Sequence, residues 1–403
     1  MTQPQFYVVG GAVRDAILGV KPTDIDYLVV GATPEWMLAN GYTQVGADFP
    51  VFLKSGEEYA LARTERKTGA GYHGFEANSS PEITIEQDLG RRDLTVNSMA
   101  VELKYWPEFL KLCEKYRTSL EADFLDEYVI NWSDHIFKKA IMMNGGAFKE
   151  DPVRVFRAVR MRHTLPEGEG CQFVADEWDY GARTWKAMEE MVASDDFKEL
   201  TPERVAQEVV KTASKCQKLS QFAGFLTDLN VLGAIPSVVD GKFCMYELDE
   251  EPTFEQGLTD REAVAYMMLC MPDDYKVLQR RFKDRRYSND AINFGCAVHI
   301  LHKMFGVEGT NQMNGENLMQ MMSMVNQNEL PGALEFLSLI NEITITNAIL
   351  VSKARMAVEL IGLDSLTDEQ QKTLTGRDIG AAIRAKRVEL LDQTICERSQ
   401  KTA

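Results

Sequence analysis

Asp24 and Asp26 stand two residues apart at the start of an apolar run, DIDYLVV (24–30). A carboxylate buried in such a run is costly unless it is paired or bound to a metal. In a strand, residues i and i+2 point to one face, so the pair reads as a hard-oxygen site suited to Mg²⁺. Two Mg²⁺ ions there would activate an attacking hydroxyl and clamp a triphosphate for in-line displacement. The alternative is a solvated strand end, because Pro22 and Thr23 mark a turn. Gly10-Gly11, about 14 residues upstream, favours chemistry, since metal and phosphate sites would then face one crevice. Glu58, in EEYALA (57–62), is a candidate third carboxylate.

Three further groups suit an anionic substrate. Gly10-Gly11 ends the run FYVV and precedes the short helical stretch AVRDAIL. Glycines let backbone N–H groups approach a phosphate, and a helix N-terminus adds favourable partial charge. Gly11 is the candidate there, and Arg14, one turn on, reaches toward the same anion; a plain tight turn is the competing reading. RRDLTVNSMA (91–100) brings Arg92 and Asp93 to the start of another element. Arginine forks match phosphate oxygens, and Asp93 suits either a ribose hydroxyl or an arginine partner. EDPVRVFRAVRMR (150–162) repeats Arg154, Arg157 and Arg160 every third residue. They form one basic stripe that repels itself unless an anion or an acid faces it. Asp151, before Pro152, is either a helix cap or a group free to read a base, and the two roles compete.

These side chains need a scaffold. Residues 5–103 mix short β-rich runs with short helices, among them TPEWMLANG with Thr33 as cap and Pro34 in its first turn. RTERKTGAGYHGFEANSSPE (63–82) is polar and glycine-rich, the composition of a mobile loop. From about residue 104 the pattern is helical, as in LTPERVAQEVVKTASKCQKL (200–219), where Thr201 caps and Pro202 opens a helix. The fold class is therefore α+β: a small head of mixed sheet and helices, then roughly 300 residues of helix.

Composition limits the setting. The 403 residues carry a net charge of −17, so any nucleic-acid contact must rest on local positive patches. The best patch is RRFKDRR (280–286), with an exposed helix face as its ordinary reading. Seven cysteines, odd in number and without CxxC spacing, suggest neither a disulfide framework nor a zinc site. No apolar run reaches membrane-spanning length, and no basic region precedes the apolar N-terminal stretch. A cytoplasmic protein without a membrane association is expected. The Met cluster at 319–324 and the pair His299/His302 read as core or surface rather than as a cofactor site.

Taken in order, VVGGAVRDAILG, DIDYLVVG, GADFPVFL, EEYALARTERKTGAGYHGF, DLGRRDLTVNSMA, EDPVRVFRAVR and LTPERV resemble the bacterial class II tRNA nucleotidyltransferases, the CCA-adding enzymes. The match is dense over 5–103, fair over 133–240 and faint beyond. The resemblance implies a nucleotidyltransferase head (1–132), a helical neck with a base-reading helix (133–240) and a helical body and tail that bind tRNA (241–403). It implies that Asp24 and Asp26 hold catalytic Mg²⁺, two ions being expected. It assigns Gly11, Arg14, Arg92, Arg157 and Arg160 to the incoming CTP or ATP, with Asp93 near the ribose. Asp151 and Arg154 would read the base edge. The chain would then add CCA to the 3′ end of tRNA and release pyrophosphate, with no protein partner inferred.

The sequence also departs from the family. KYWPEFLKLCEKYRTSLEADFLDEYVINW (104–132) replaces the usual hairpin before SDHIFKKA, and only Asp134 corresponds to that hairpin's final aspartate. This keeps open a partial CC- or A-adding enzyme, or a poly(A) polymerase; a non-catalytic RNA binder is disfavoured by the intact carboxylates. No histidine after residue 240 is followed by Asp, so the phosphohydrolase activity of some relatives is not expected.

Overall fold

A computed structural model describes residues 3–401 apart from 47–49, 68–74, 169–174, 176, 236–251, 272, 306–313, 327, 341–342 and 344. By packing, the chain divides into two compact units. The first comprises Met1–Glu208 with Gly224–Pro236, and the second Val209–Ala223 with Ser237–Ala403. The boundary expected at 240/241 lies outside the described residues.

The first unit begins with β1 (Gln5–Val9), α1 (Gly11–Ile17), β2 (Asp26–Val30), α2 (Pro34–Ala39), β3 (Thr43–Val45), β4 (Val51–Lys54) and β5 (Glu57–Leu61). There follow β6 (Thr64–Lys67), β7 (Phe75–Asn78), α3 (Ile85–Gly90), β8 (Ala100–Glu102), α4 (Trp106–Lys115), α5 (Ala122–Tyr128) and β9 (Val129–Ile130). Seven strands form one sheet in the order β3-β4-β5-β2-β1-β8-β9. Only β2 and β5 run parallel; β1 lies antiparallel to both β2 and β8. The alternation of the strands puts apolar side chains on both faces. Tyr7, Val9, Leu28 and Ala100 pack with Ile85 and Leu89 of α3, while Val29, Phe52 and Leu61 pack with Met37 of α2. Thr33 caps α2, accepting from the Trp36 N–H at 3.2 Å, and Thr84 closes a capping box on α3.

Two expectations need correction. The polar stretch at 63–82 is not all loop: β6 and β7 pair antiparallel within it, and its residues 68–74, with 47–49 of GADFPVFL, fall outside the described set. The helical pattern from 104 is not unbroken either. The segment 104–132 gives α4 and α5, but then β9 returns to the head and pairs with β8, closing that sheet edge. The β-branched pair Val129-Ile130 fits an edge strand better than a helix end.

The first unit continues with β10 (Ala140–Ile141), α6 (Val153–Thr164), β11 (Asp179–Tyr180), α7 (Ala182–Val192), α8 (Asp195–Lys198), α9 (Pro202–Ala213) and α10 (Leu219–Val231); α9 and α10 cross the division. The parallel pair β10–β11 is a second small departure from an all-helical neck. The second unit holds α11 (Asp260–Leu269), α12 (Tyr275–Asp284), α13 (Asn289–Phe305), α14 (Gly315–Met324), α15 (Leu330–Leu339), α16 (Ile345–Leu360), α17 (Asp368–Thr373) and α18 (Gly376–Lys401). Met319, Met321 and Met322 of α14 and His299 of α13 are buried core. No described helix is long and apolar enough to cross a membrane.

Candidate active site

Strand polarity gathers the sequence candidates at one end of the head sheet. In the antiparallel register Val9 faces both Asp26 and Ala100. The end of β1, the start of β2 and the start of β8 therefore share one edge, and β5, parallel to β2, begins there too. That edge carries Asp24 and Asp26, the Gly10-Gly11 turn, Glu58, and the 91–99 segment that leads into β8.

Gly10 has φ +72°, a conformation that favours glycine. Its N–H donates to the Met99 carbonyl at 2.9 Å. A Cβ there would stand 3.0 Å from an Arg92 guanidinium nitrogen, so the turn must stay bare for Arg92 to lie over it. Arg92 is held by Asp88, whose carboxylate is wholly buried and also binds Arg91 at 2.7 Å. Burial alone would raise the Asp88 carboxyl; Arg91 and Arg92 outweigh it and hold the group below the usual carboxylate range.

Asp26 opens β2, whereas Asp24 lies in the bend before it, so only one member of the pair is in the strand. Both are exposed. Asp24 makes no ion pair with any described residue. Glu58 shares the sheet face of Asp26, since Leu28 is paired with Ala60. Yet among the described residues no three His, Cys, Asp or Glu side chains converge as a metal cage. A pair of exposed carboxylates fits Mg²⁺, which keeps several waters and takes one or two carboxylates together with substrate phosphates.

The arginine helix α6 joins the same edge through a chain of polar contacts. Arg157 Nε donates to Asp93 Oδ2 at 2.6 Å. Asp93 Oδ1 accepts from the Leu94 N–H at 2.8 Å and from Asn97 Nδ2 at 3.1 Å. Asn97 Oδ1 in turn accepts from Arg14 at 2.5 Å. Burial pushes the Asp93 carboxyl up, but Arg157, by charge and hydrogen bond, and the Asn97 amide together bring it down to about 2. Arg160 donates to Glu208 Oε2 at 2.8 Å, and Arg157 lies 3.8 Å from the other Glu208 oxygen. The acid required by the basic stripe is thus Asp93 on one side and Glu208 of α9 on the other.

Three of the assigned residues are buried and already partnered. Arg14 is 6% exposed and bound to Asp15 and Asn97; Arg160 is 2% exposed and bound to Glu208. Asp93, 5% exposed, is filled by Arg157, Asn97 and Leu94. A buried guanidinium requires an acid beside it, and Arg14 and Arg160 each have one. Arg92 and Arg157 keep 18% and 32% of their side-chain surface exposed.

Asp151 is held at the start of α6 by two protein partners. Its Oδ1 accepts the Val153 N–H at 3.2 Å, from the residue before the Pro152 cap. Arg204 of α9 then grips it with both arms, Nη1 to Oδ1 at 3.0 Å and Nη2 to Oδ2 at 2.6 Å. A carboxylate has about four acceptor positions. With three filled, one remains, on Oδ2. Arg154, one turn on, donates Nη1 to the Ala147 carbonyl at 2.6 Å and keeps its other donors for a neighbour. Arg204, Glu208, Asn97 and Asp88 are the residues that sequence reading missed. The one available signal was LTPERVAQE, which puts Arg204 and Glu208 four apart on one helical face.

The chain is similar to several known proteins. Residues 6–110 match a family model described as "Poly A polymerase head domain". The chain is 40% identical over 264 residues to the CCA-adding enzyme of Marinobacter nauticus, covering 64% of this chain and 60% of that protein. It is 40% identical over 288 residues to the multifunctional CCA protein of Pseudomonas putida, covering 70% and 69%. The chain therefore spans under two thirds of the length of the first relative and slightly more of the second. Among solved structures, "The structure of CCA-adding enzyme apo form II" aligns over 99% of this chain and 92% of that one, with TM-score 0.59 and 18% identity. The Bacillus stearothermophilus CCA-adding enzyme in complex with CTP aligns over 99% and 94%, with TM-score 0.59 and 16% identity. At such identities the likeness is one of fold.

Proposed function

This chain belongs to the CCA-adding enzyme family, and from that premise we propose that it adds C, C and A stepwise to the 3′ end of tRNA from CTP and ATP. Pyrophosphate leaves at each step. The observation that carries the reading is the joining of the Asp24/Asp26 edge to α6 through Asp93, Asn97 and Arg14.

In this reading Asp24 and Asp26 hold divalent metal, two Mg²⁺ ions being the proposed complement. When bound, the metal lowers the pKa of the attacking hydroxyl and neutralises developing phosphate charge. The Gly10-Gly11 turn lets the triphosphate approach the backbone of Gly11. Arg92, fixed by Asp88, and Arg157, fixed by Asp93, donate to phosphate oxygens. The base is read by Asp151 and Arg154. Cytosine and adenine each offer an amino hydrogen beside a bare ring nitrogen; uracil and guanine offer the reverse. The single open acceptor position on Asp151 Oδ2 takes the amino hydrogen, and Arg154 donates to the ring nitrogen. Arg204 and Glu208 act as positioning residues, Arg204 holding the Asp151 carboxylate in place and Glu208 keeping the guanidinium stripe aimed. The head and neck bind the nucleotide, and the helical second unit binds tRNA.

Incubating the purified chain with tRNA lacking its CCA end, Mg²⁺ and labelled CTP and ATP tests the proposal; incorporation of neither nucleotide would sink it. The segment at 104–132 that replaces the family's hairpin favours one second reading, a partial CC- or A-adding enzyme. Product length on a sequencing gel separates the two.

A further inference from the structure

Helix α12 carries the basic run that the nucleotide site leaves unused. Its inner side is buried through Leu278 and Phe282. Its outer side presents Lys276, Arg280 and Lys283, all exposed. At spacings of four and three residues they share one stripe, spread over about 10 Å of helix at ~1.5 Å per residue.

The neighbouring cations are already satisfied or turned inward. Arg281 donates to Asp273 Oδ2 at 2.7 Å, and Arg285 is half-buried. Lys276, Arg280 and Lys283 differ: none of them forms an ion pair with a described acid. The nearby carboxylates leave them alone. Asp274 caps the helix by accepting the Lys276 N–H at 2.9 Å, Asp273 is taken by Arg281, and Asp284, four residues after Arg280, makes no bridge to it. Elsewhere in the chain acids pair the arginines readily, as at Arg91, Arg157, Arg204 and Arg261. A chain with 61 acidic against 44 basic residues has ample acid to pair these three. Adjacent like charges on one stripe repel, so the arrangement favours a polyanion from outside.

We infer that the outer face of α12 is a docking surface for the phosphate backbone of RNA, with Lys276, Arg280 and Lys283 as its contacts. The inference rests on the proposed tRNA substrate, and it says where the charge that an acidic protein needs for that substrate resides. No base is read there: three long, mobile cations on a convex helix meet phosphates without regard to sequence. The contact serves binding rather than chemistry, so it acts on the affinity for RNA and not on the nucleotide.

The triple variants K276Q/R280Q/K283Q and K276E/R280E/K283E alter only exposed side chains. Binding of CCA-lacking tRNA is measured against KCl concentration, alongside steady-state kinetics. The neutral variant is expected to bind about tenfold or more weakly, with the slope of log affinity against log salt reduced by about 2 to 3. The acidic variant binds more weakly still. The KM for tRNA rises, while kcat at saturating tRNA and the KM for CTP stay unchanged. An unchanged salt slope in the neutral variant, with the wild type extending tRNA normally, overturns this inference alone. A wild type that neither binds nor extends tRNA removes the proposed function instead. A fall in kcat with an unchanged salt slope assigns α12 a structural role and also overturns the inference.

Discussion

Asp93 offers the sharpest test of the bracing network. The substitution Asp93→Asn keeps the shape but removes the charge facing Arg157. In the folded protein the carboxyl is held at about 2, against an ordinary value of 3.8. At about 1.4 kcal/mol per pH unit, the ionised form is preferred by about 2 kcal/mol. Because the folded value is the lower one, this stabilisation is complete above pH ~4 and is lost as pH falls through about 2. Linkage gives a loss of about 1 kcal/mol already between pH ~5 and pH ~3. Breaking a buried pair from one side costs about 3–5 kcal/mol. That range is an upper limit here, since Arg157 is one-third exposed and keeps Glu208 at 3.8 Å. Asp93→Asn should therefore be less stable by about 2–3 kcal/mol at neutral pH in urea unfolding. Its stability should also be flatter than the wild type's between pH ~5 and pH ~3 by about 1 kcal/mol. Curves that run parallel over that range, or equal stability at neutral pH, would refute the account of Asp93 as the charge partner of α6.

Other outcomes follow from the same geometry. Asp24→Ala or Asp26→Ala should lower the rate of nucleotide addition at least ~10³-fold, or about 4 kcal/mol, with folding intact by circular dichroism. Glu208→Gln deprives buried Arg160 of its directly bonded carboxylate, with Asp93 the remaining acid near it, and should cost up to about 3–5 kcal/mol of stability, read from the denaturant midpoint. Asp151→Ala should reduce discrimination against UTP and GTP by about 1–3 kcal/mol, measured as misincorporation, more than it slows CTP addition. Arg204→Lys keeps the charge but not the two-armed grip, so it should lose part of that discrimination while Arg204→Ala loses more; flat misincorporation in both removes Arg204 from the reading head.

The parts of the fold legible in sequence were those set by local chemistry. Thr33-Pro34 announced α2, Pro202 announced α9, and the alternation of FYVV and DYLVV announced β1 and β2. The need for an acid opposite Arg154, Arg157 and Arg160 was legible too. Which acid it would be was not. Asp93 and Glu208 lie 64 and 51 residues from Arg157, and only the folded chain brings them together. The strand β9 was hidden because two residues between helical stretches carry too little periodicity to register. Burial of Arg14 and Arg160 was illegible for a similar reason: spacing gives the face of a helix, whereas the helix packed against it decides whether that face is wet.

Glu208 and Asp93 bear on more than support. Arg92, Arg157 and Arg160 are already matched by carboxylates of the protein. Under the proposed function a triphosphate would trade places with those protein oxygens for its share of the arginine donors, so uptake would be a swap of anions rather than a capture by bare charge. On that reading stray phosphates would gain little by lodging there, whereas a metal-loaded nucleotide would supply both the oxygens to compete and the cations to settle the displaced acids.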